Sequence, residues 1–169
     1  MQPQANTGDS TVSSGNQFLS FRLGDEAYGI DILRVQEIRG WESVRPLPDA
    51  PAHVKGVLDL RGIIVPIIDL RIRFGDPQPQ YQATTVVIIV AVSHADGGQQ
   101  LMGMVVDGVS DVLQASDAEI KSPPRIAGGI KQSYLQGMVS LDRGMVVLID
   151  IDKMLSQSEL AELEELGSG

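Results

Sequence analysis

Hydrophobic and polar positions in residues 56–70 form two apolar runs that are hinged at one arginine and one glycine. The runs are rich in Val, Ile and Leu, which is the composition of buried strands. Gly62 can adopt positive φ without steric cost, so residues 60–63 are expected to turn. The pattern therefore predicts a β-hairpin with Arg61 at its tip.

The same pattern recurs in residues 135–151, where Gly137 follows Gly56 by 81 residues. Upstream, residues 28–38 correspond to residues 102–112 at a constant offset of 74. The chain therefore contains one unit twice. Each copy must close its own apolar sheet or share one with its twin, which constrains the fold more than any single propensity does.

Several other segments have the pattern of strands. Residues 18–23 and 27–30 predict a first hairpin with a Gly-Asp-Glu turn between them. The β-branched run 84–92 predicts a buried strand, and the Asp-Gly-Gly sequence after it predicts a turn into residues 101–106. Residues 70–74 predict one helical turn. We therefore expect a mainly β protein with short helices.

The Gly- and Pro-rich segment 75–80 is the clearest boundary in the chain, and we expect it to join the two copies. The predicted organisation is a single domain over residues 16–155. Within it, residues 16–76 are expected to form one small barrel and residues 81–155 a second. A groove is expected between the two barrels, with the joining segment at their junction.

Both ends of the chain differ in composition from this domain. Residues 1–15 are Gln, Ser, Thr, Gly and Asn in the main, which is typical of a disordered tail. Residues 156–159 have the pattern of a capping box, and three leucines follow at helical spacing. Residues 156–169 are therefore expected to form a short amphipathic C-terminal helix and a tail.

Composition limits the functions that this chain can have. Of its 169 residues 43% are hydrophobic, and the internal duplication favours two small cores over one medium core. Aromatic residues make up only 4%, and 13 basic residues are scattered among 22 acidic ones to give a net charge of −9. A nucleic-acid surface needs clustered Lys and Arg with stacking aromatics, so nucleic acid is not expected as a partner.

The chain has no cysteine, which excludes disulfides and thiolate metal sites. Residues 1–15 lack the basic and apolar regions of a signal peptide. The longest apolar run, residues 86–92, is far shorter than the roughly 20 residues that span a bilayer. We expect a cytoplasmic protein that does not insert into the membrane.

Candidate catalytic chemistry is sparse. His53 and His94 both lie in predicted loops, and the chain has no cysteine nucleophile and no G-x-S-x-G motif. His94 and Asp96 could supply two metal ligands, but a turn explains the pair better. No glycine-rich phosphate-binding motif is present. The sequence therefore predicts neither an active site nor a bound cofactor or metal.

Four aspartates, Asp59, Asp69, Asp107 and Asp150, could be arranged as an acid/base set. Asp69 and Asp150, however, occupy equivalent places at strand ends before a predicted helical turn. Aspartates in that position usually cap the helix. We therefore predict capping for both.

Arg61 departs from what the repeat requires. Its twin position in the second copy is Asp142, so the shared architecture does not need an arginine at the hairpin tip. An exposed ion pair contributes only about 0 to 1 kcal/mol to folding, so recognition is the better reason for the arginine.

Five segments together are similar to one known family. Residues 28–40, 54–57, 60–62 and 64–71 closely resemble the CheW-like family of bacterial chemotaxis coupling proteins, and residues 103–112 also fit that family. The resemblance extends over roughly residues 16–160. Each motif alone is weak, whereas the set is specific.

The resemblance implies an adaptor without catalytic activity, built of two five-stranded β-barrels of the Src-homology-3 (SH3) type. Such an adaptor joins the cytoplasmic tips of methyl-accepting chemotaxis receptors to the regulatory domain of the histidine kinase CheA, in rings that can include further copies of the adaptor beneath the receptor array. The family pattern implies receptor-facing positions at Val35, Glu37, Gly56, Arg61, Gly103 and Val112.

Two other functions stay open at this point. One is an adaptor of the same family that serves a different chemosensory pathway, such as one governing pili. The other, from a different class, is a small hydrolase that uses the carboxylates of the two copies. A titratable site in a deep cleft would favour the hydrolase.

Overall fold

The computed structural model describes residues 17–76, 78–122, 132–142 and 144–155. Short helical segments are few: two 3₁₀ turns, Ile32–Arg34 and Gln132–Tyr134, a first helical turn, Leu70–Arg73, and a second helical turn, Ile151–Met154. Ten strands account for most of the described residues: β1 (Gln17–Leu23), β2 (Glu26–Asp31), β3 (Val35–Gly40), β4 (Val54–Leu60), β5 (Ile63–Asp69), β6 (Val86–Ser93), β7 (Gln99–Val106), β8 (Gly108–Gln114), β9 (Leu135–Leu141) and β10 (Gly144–Ile149).

The strands form two sheets of five. The first sheet has the order β8-β1-β2-β10-β9, and the second has the order β3-β6-β7-β5-β4. Each sheet is antiparallel except at one place, where β10 pairs in parallel with β2 and β5 pairs in parallel with β7. The predicted class, a mainly β fold of two five-stranded SH3-like subdomains, is confirmed.

The predicted assignment of residues 16–76 to one barrel and 81–155 to the other is wrong. Each sheet combines the first hairpin of one copy with the third strand and the second hairpin of the other copy. The repeat and the strand composition identify equivalent strands, but they carry no information on whether a strand pairs within its own copy. The exchange therefore could not be read from the pattern.

The segment 75–80 joins the two copies of the sequence, as predicted, but it does not cross from one sheet to the other. It leads from the first helical turn to β6, and both adjoining strands, β5 and β6, belong to the second sheet. The chain passes from one sheet to the other elsewhere, at Ile32–Arg34 between β2 and β3 and at Asp107 between β7 and β8.

The internal duplication itself is confirmed by strand register. Gly56 pairs with Ile67 in the hairpin of the first copy, and Gly137 pairs with Leu148 in the hairpin of the second. Ile67 and Leu148 are 81 residues apart, as are the two glycines. Both hairpins therefore have the same register, and both glycines occupy equivalent places.

The hydrophobic core has three parts, not the two small cores expected. One small cluster lies within each sheet, and a larger cluster takes residues from both sheets. β6 shows why its sequence is a continuous apolar run. Its alternate residues Val87 and Ile89 face the cluster of the second sheet, while Ile88, Val90 and Val92 face the shared cluster, so both faces of the strand are buried.

Asp69 and Asp150 cap the two helical turns, as predicted. The Asp69 side chain accepts a hydrogen bond from the backbone N–H of Arg71, and that of Asp150 accepts one from Lys153. Each carboxylate thus satisfies a backbone donor that the short helix leaves without a partner.

The predicted N-terminal tail, residues 1–15, and the predicted C-terminal helix and tail, residues 156–169, lie outside the described residues. Within the described ranges, no helix is long and apolar enough to span a membrane. The same part of the chain holds no group of three or more His, Cys, Asp or Glu side chains placed to bind a metal ion.

Candidate functional site

The tip of the β4–β5 hairpin has an unusual backbone. Arg61 has φ +52° and Gly62 has φ +89°, as in a type I′ turn, in which both central residues have positive φ. Asp59 braces the turn by accepting a hydrogen bond from the N–H of Gly62 at 2.8 Å. The Arg61 side chain is 74% exposed. The predicted turn and the predicted exposure of Arg61 are therefore both confirmed.

Arg61 is paired with Glu37, the counter-charge expected from the sequence. Its Nη2 donates to Oε1 of Glu37 at 2.9 Å. Glu37 lies on β3 and Arg61 follows β4, and these two strands stand at opposite ends of the second sheet. The contact therefore joins the two ends of the sheet, in keeping with a barrel-like subdomain.

Two further residues extend this pair into a chain of alternating charge, which the sequence reading missed. Arg39 Nη1 lies 3.5 Å from Oε2 of Glu37, and Arg39 Nη2 lies 2.7 Å from Oε2 of Glu42. Glu37 and Arg39 are two residues apart on β3 and so point to the same face. That spacing was the available signal. Glu37 is thus held from both sides by arginines.

Exposed apolar side chains flank these charges. Ile63 and Ile64 follow the tip at the start of β5, and Ile38, also exposed, lies on β3 with its side chain on the face opposite to Glu37 and Arg39. Each of these isoleucines is classed among the exposed large hydrophobic residues of the chain. The surface around Arg61 therefore combines an oriented guanidinium with apolar contact area, a mixture that is common at recognition surfaces.

Gly56 and Gly103, two of the six predicted receptor-facing positions, are buried and have clear packing roles. A Cβ on Gly56 would lie 2.0 Å from the backbone oxygen of Arg45, and Gly56 also has φ +145°. A Cβ on Gly103 would lie 2.5 Å from Cδ1 of Ile67. Both positions therefore shape the second subdomain, and neither presents a side chain at its surface.

The remaining predicted positions are divided between the subdomains. Val35 is half-buried on β3, the strand that also carries Glu37. Val112 is half exposed on β8, which belongs to the first sheet. The structure thus brings Glu37 and Arg61 into contact and places Val35 on the same strand as Glu37, while Val112 lies on the other subdomain.

The exposed pair does not account for Arg61 on stability grounds. An ion pair at this exposure contributes about 0 to 1 kcal/mol. The left-handed backbone region costs a residue with a Cβ roughly 1 to 2 kcal/mol relative to the usual conformation. The strain at Arg61 therefore destabilises the fold by at least as much as its salt bridge stabilises it. Such strain is typical of functional positions.

A second polar centre is buried, and it employs two of the four aspartates considered for catalysis. Arg71 donates from Nε and Nη2 to the two carboxylate oxygens of Asp69 at 3.0 and 2.9 Å, and from Nη1 to Asp107 at 3.0 Å. The Tyr81 hydroxyl donates to Asp69 at 2.5 Å, and Arg71 also lies over the Tyr81 ring.

The pKa values of Arg71 and Tyr81 at this centre are both raised by their surroundings. Burial alone would lower the pKa of Arg71, but hydrogen bonds to Asp69 and Asp107 and their charges raise it above the ordinary value. Burial raises the pKa of Tyr81, as do the hydrogen bond to Asp69 and its charge, against an opposing effect of Arg71. Asp69 and Asp107 are therefore engaged in a structural network and do not form an acid/base pair facing a cleft.

Comparison with known proteins identifies relatives over nearly the whole chain. A family model described as "CheW-like domain" matches residues 17–159. The chain is 45% identical over 152 residues to a chemotaxis protein CheW of Klebsiella aerogenes, with 90% of this chain and 89% of that protein covered. It is 33% identical to a chemotaxis protein CheW of Rhizobium meliloti, with 91% and 96% covered.

A solved structure agrees with these matches. The crystal structure of the scaffolding protein TtCheW from Thermoanaerobacter tengcongensis superposes with a TM-score of 0.69 at 30% identity, covering 80% of this chain and 84% of that one. Family model, sequence relatives and fold point in the same direction. This chain belongs to the CheW-like family of chemotaxis scaffold proteins.

Proposed function

We propose that this chain is a non-enzymatic adaptor that couples methyl-accepting chemotaxis receptors to the histidine kinase CheA in signalling arrays. Its place of action is then the cytoplasm, at the membrane-associated arrays. Family membership supports the scaffold role, and the geometry at Arg61 supports a recognition surface. The observation that carries the proposal is an exposed arginine, held at positive φ and paired with Glu37, which folding alone does not explain.

The chemistry of Arg61 suits a receptor tip. Among the described residues Glu37 accepts from Nη2, and the high exposure of the side chain leaves other donors of its planar fork facing solvent. A guanidinium held in one orientation can donate two parallel hydrogen bonds to a carboxylate or to backbone oxygens, which a lysine ammonium cannot do. Arg61 is therefore the central contact in this proposal.

The other proposed positions act in different ways. Glu37 contacts Arg61, Val35 lies two residues before Glu37 on β3, and Val112 adds exposed apolar area on the first subdomain. Gly56 and Gly103 contribute through backbone shape, because side chains there would collide with Arg45 and Ile67. Substitutions at either glycine would change recognition by distorting the second subdomain.

Equilibrium binding to purified partners tests this proposal. Soluble receptor cytoplasmic fragments and the CheA regulatory domain would be titrated separately against the wild type, Arg61→Ala and Arg61→Lys. We expect Arg61→Ala to lose receptor binding by about tenfold or more and to keep kinase binding, with Arg61→Lys between the two. Wild-type receptor affinity in Arg61→Ala would contradict the proposed role of this residue.

Failure of the wild type to bind either partner would contradict the adaptor function itself. Binding to the receptors and kinase of a different chemosensory pathway, with the same dependence on Arg61, would reassign the pathway and keep the mechanism. No feature of the described residues favours a hydrolase, since Asp59, Asp69, Asp107 and Asp150 each accept a hydrogen bond from a backbone N–H of a turn or helix end.

A further inference from the structure

The covalent connection between the two subdomains is made at two places, beside the core cluster that both sheets share. Of the connections between successive strands, two lead from one sheet to the other: Ile32–Arg34, between β2 and β3, and Asp107, between β7 and β8. The remaining connections begin and end in the same sheet. Any change in the orientation of one subdomain relative to the other must therefore be accommodated at these two crossings.

Each crossing carries a charged residue that is ion-paired to a helical turn. At one crossing, Asp107 Oδ1 accepts from Nη1 of Arg71 at 3.0 Å. At the other, Nη1 and Nη2 of Arg34 donate to the two carboxylate oxygens of Asp152 at 3.1 and 2.5 Å. Arg71 and Asp152 are equivalent residues of the two copies, 81 positions apart. Arg34 and Asp107 are one position out of correspondence, since at the offset of 74 Arg34 matches Gly108. The two pairs therefore occupy similar places, each between a crossing and a helical turn, with the signs of their charges reversed.

Each pair also contacts a hairpin in the sheet that lies across the boundary from its helical turn. Asp107 Oδ2 accepts from the N–H of Gly24, in the β1–β2 turn, at 2.7 Å. Asp152 Oδ1 accepts from the N–H of Ser93, at the end of β6, also at 2.7 Å. At the first junction, the Asp107 carboxylate thus joins a crossing to the β1–β2 hairpin. At the second, the Asp152 carboxylate joins a helical turn to the β6–β7 hairpin. Each contact spans the boundary between the two sheets.

The junctions differ in their access to solvent. The Arg71 side chain is 1% exposed and is held by the buried Asp69 as well as by Asp107, whose side chain is 30% exposed. The Arg34 and Asp152 side chains are 30% and 27% exposed, and their other contacts are to Ala91, Ser93 and backbone groups. A buried, doubly paired arginine cannot separate from its partners without a large penalty, whereas a partly exposed pair can exchange partners with water.

We propose that the two junctions form a pivot and a latch that set the orientation of the subdomains. The Arg71–Asp107 junction is the pivot, which stays closed while the protein is folded. The Arg34–Asp152 junction is the latch, and the subdomains hinge about Asp107 when it opens. The shared apolar core is close-packed and holds the subdomains together, and the hydrogen-bonded charges add directional contacts that fix their angle.

Distance measurement between the subdomains tests this inference on the isolated chain, independently of any partner. The protein has no cysteine, so Gln136→Cys on β9 and Ile63→Cys on β5 would provide the two labelling sites. Pulsed electron–electron double resonance between spin labels on the two cysteines would then report the distribution of distances between the two sheets. It would be recorded with and without the substitution Arg34→Gln.

We expect Arg34→Gln to broaden the distance distribution by about twofold or more while the melting temperature falls by only a few degrees. Asp152→Asn should broaden it in the same way, because an asparagine keeps an acceptor for Ser93 but loses the charge. Arg39→Gln is the matched control, since Arg39 is 28% exposed and also ion-paired, but within the second subdomain. Its distribution should equal that of the wild type.

Two results would overturn the proposal. One is a distribution in Arg34→Gln and Asp152→Asn that is as narrow as in the wild type. The other is equal broadening in Arg39→Gln, which would show that loss of any surface ion pair loosens the chain.

Discussion

The two copies of the repeated unit have the same strand register in their second hairpins, but they differ in charge and in backbone conformation at the hairpin tip. Gly56 and Gly137 pair at equivalent places in equivalent hairpins. At the tip, by contrast, Arg61 of the first copy stands where the second copy has Asp142. The features that packing demands are repeated, and a charge that packing does not demand is not. This difference is the reason for proposing that recognition resides in the first copy alone.

A second difference between the copies affects stability, not recognition. The helical turn of the first copy carries a buried arginine, Arg71, and that of the second carries a partly exposed aspartate, Asp152. Each nevertheless pairs with a residue at a crossing between the sheets. Geometry at the junction is thus retained although the charges are exchanged, which indicates that the contact itself matters and not the sign of either partner.

The largest effect is expected from the equivalent glycines at the start of the second hairpins. Gly56→Ala would place a methyl group 2.0 Å from a backbone oxygen at positive φ, so we expect a loss of roughly 3 kcal/mol or more, or failure to fold. Gly137→Ala should cost less, because Gly137 lacks the positive φ of Gly56 and its close contacts are the Ile120 side chain at 2.5 Å, which can move, and the Lys121 backbone oxygen at 2.9 Å. Urea unfolding of both variants measures the difference; equal losses would contradict the assignment of a rigid contact at Gly56.

The two junctions should also differ in the cost of breaking them. Arg71→Met leaves the buried carboxylate of Asp69 without its ionic partner, and breaking a buried pair from one side costs about 3 to 5 kcal/mol. Arg34→Met breaks a partly exposed pair and should cost about 1 kcal/mol or less. The free energies of unfolding of the two variants provide the test. A larger loss in Arg34→Met would reverse the assignment of pivot and latch.

Tyr81 gives the cap of the first helical turn a dependence on pH. The pKa of Tyr81 is raised by burial and by its hydrogen bond to Asp69, so the folded protein holds this proton more tightly than the unfolded chain. The resulting stability is fully present below about pH 10, the ordinary tyrosine value, and is lost as pH rises above it.

Tyr81→Phe should therefore lower stability at neutral pH by about 1 to 2 kcal/mol, the cost of removing a donor from a buried carboxylate. It should also make the loss above pH 10 less steep. Part of the loss will remain, because burial and the charge of Glu26 raise the pKa of Tyr28 as well. Unfolding curves at a series of pH values measure both effects, and an identical pH dependence in wild type and variant would exclude Tyr81 as a contributor.

The smallest effect is expected at the tip itself. Arg61→Gly relieves a positive φ and loses only an exposed ion pair, so stability should stay the same or rise by up to about 1 kcal/mol. Asp142→Gly, at the equivalent tip position, is the matched variant of the second copy. Thermal unfolding of Arg61→Gly and Asp142→Gly measures the change in stability at each tip. A loss of 2 kcal/mol or more in Arg61→Gly, well above the usual value of an exposed pair, would return Arg61 to a structural role.

Much of this architecture could be predicted from the sequence, and the limits have physical causes. Apolar runs and turn glycines have local effects, so they predict the β4–β5 hairpin, its tip and the capping aspartates. Pairing between distant strands depends on the whole fold, so the exchange of hairpins between the copies could not be predicted. Because both faces of β6 are buried, its composition is that of any buried strand. Its sequence therefore could not show that one face belongs to a core shared by both sheets.

The candidate site follows the same division. Arg61 was predicted because the repeat provides an internal comparison, and Glu37 because the family resemblance places it on the same face. Arg39 and Glu42 join the site through distances that a one-dimensional pattern does not contain. The packing roles of Gly56 and Gly103 likewise depend on atoms of Arg45 and Ile67 that are remote in sequence or lie on another strand.

The most direct test of the account is receptor-dependent kinase activation with Arg61→Ala and Asp142→Ala measured side by side. Membranes containing receptors, purified CheA and increasing amounts of each variant would be assayed for kinase phosphorylation. We expect Asp142→Ala to activate the kinase as the wild type does. We expect Arg61→Ala to fail to activate it at any concentration near that of the wild type. Equal activation by both variants, or equal loss in both, would contradict the claim that the recognition function resides in one copy.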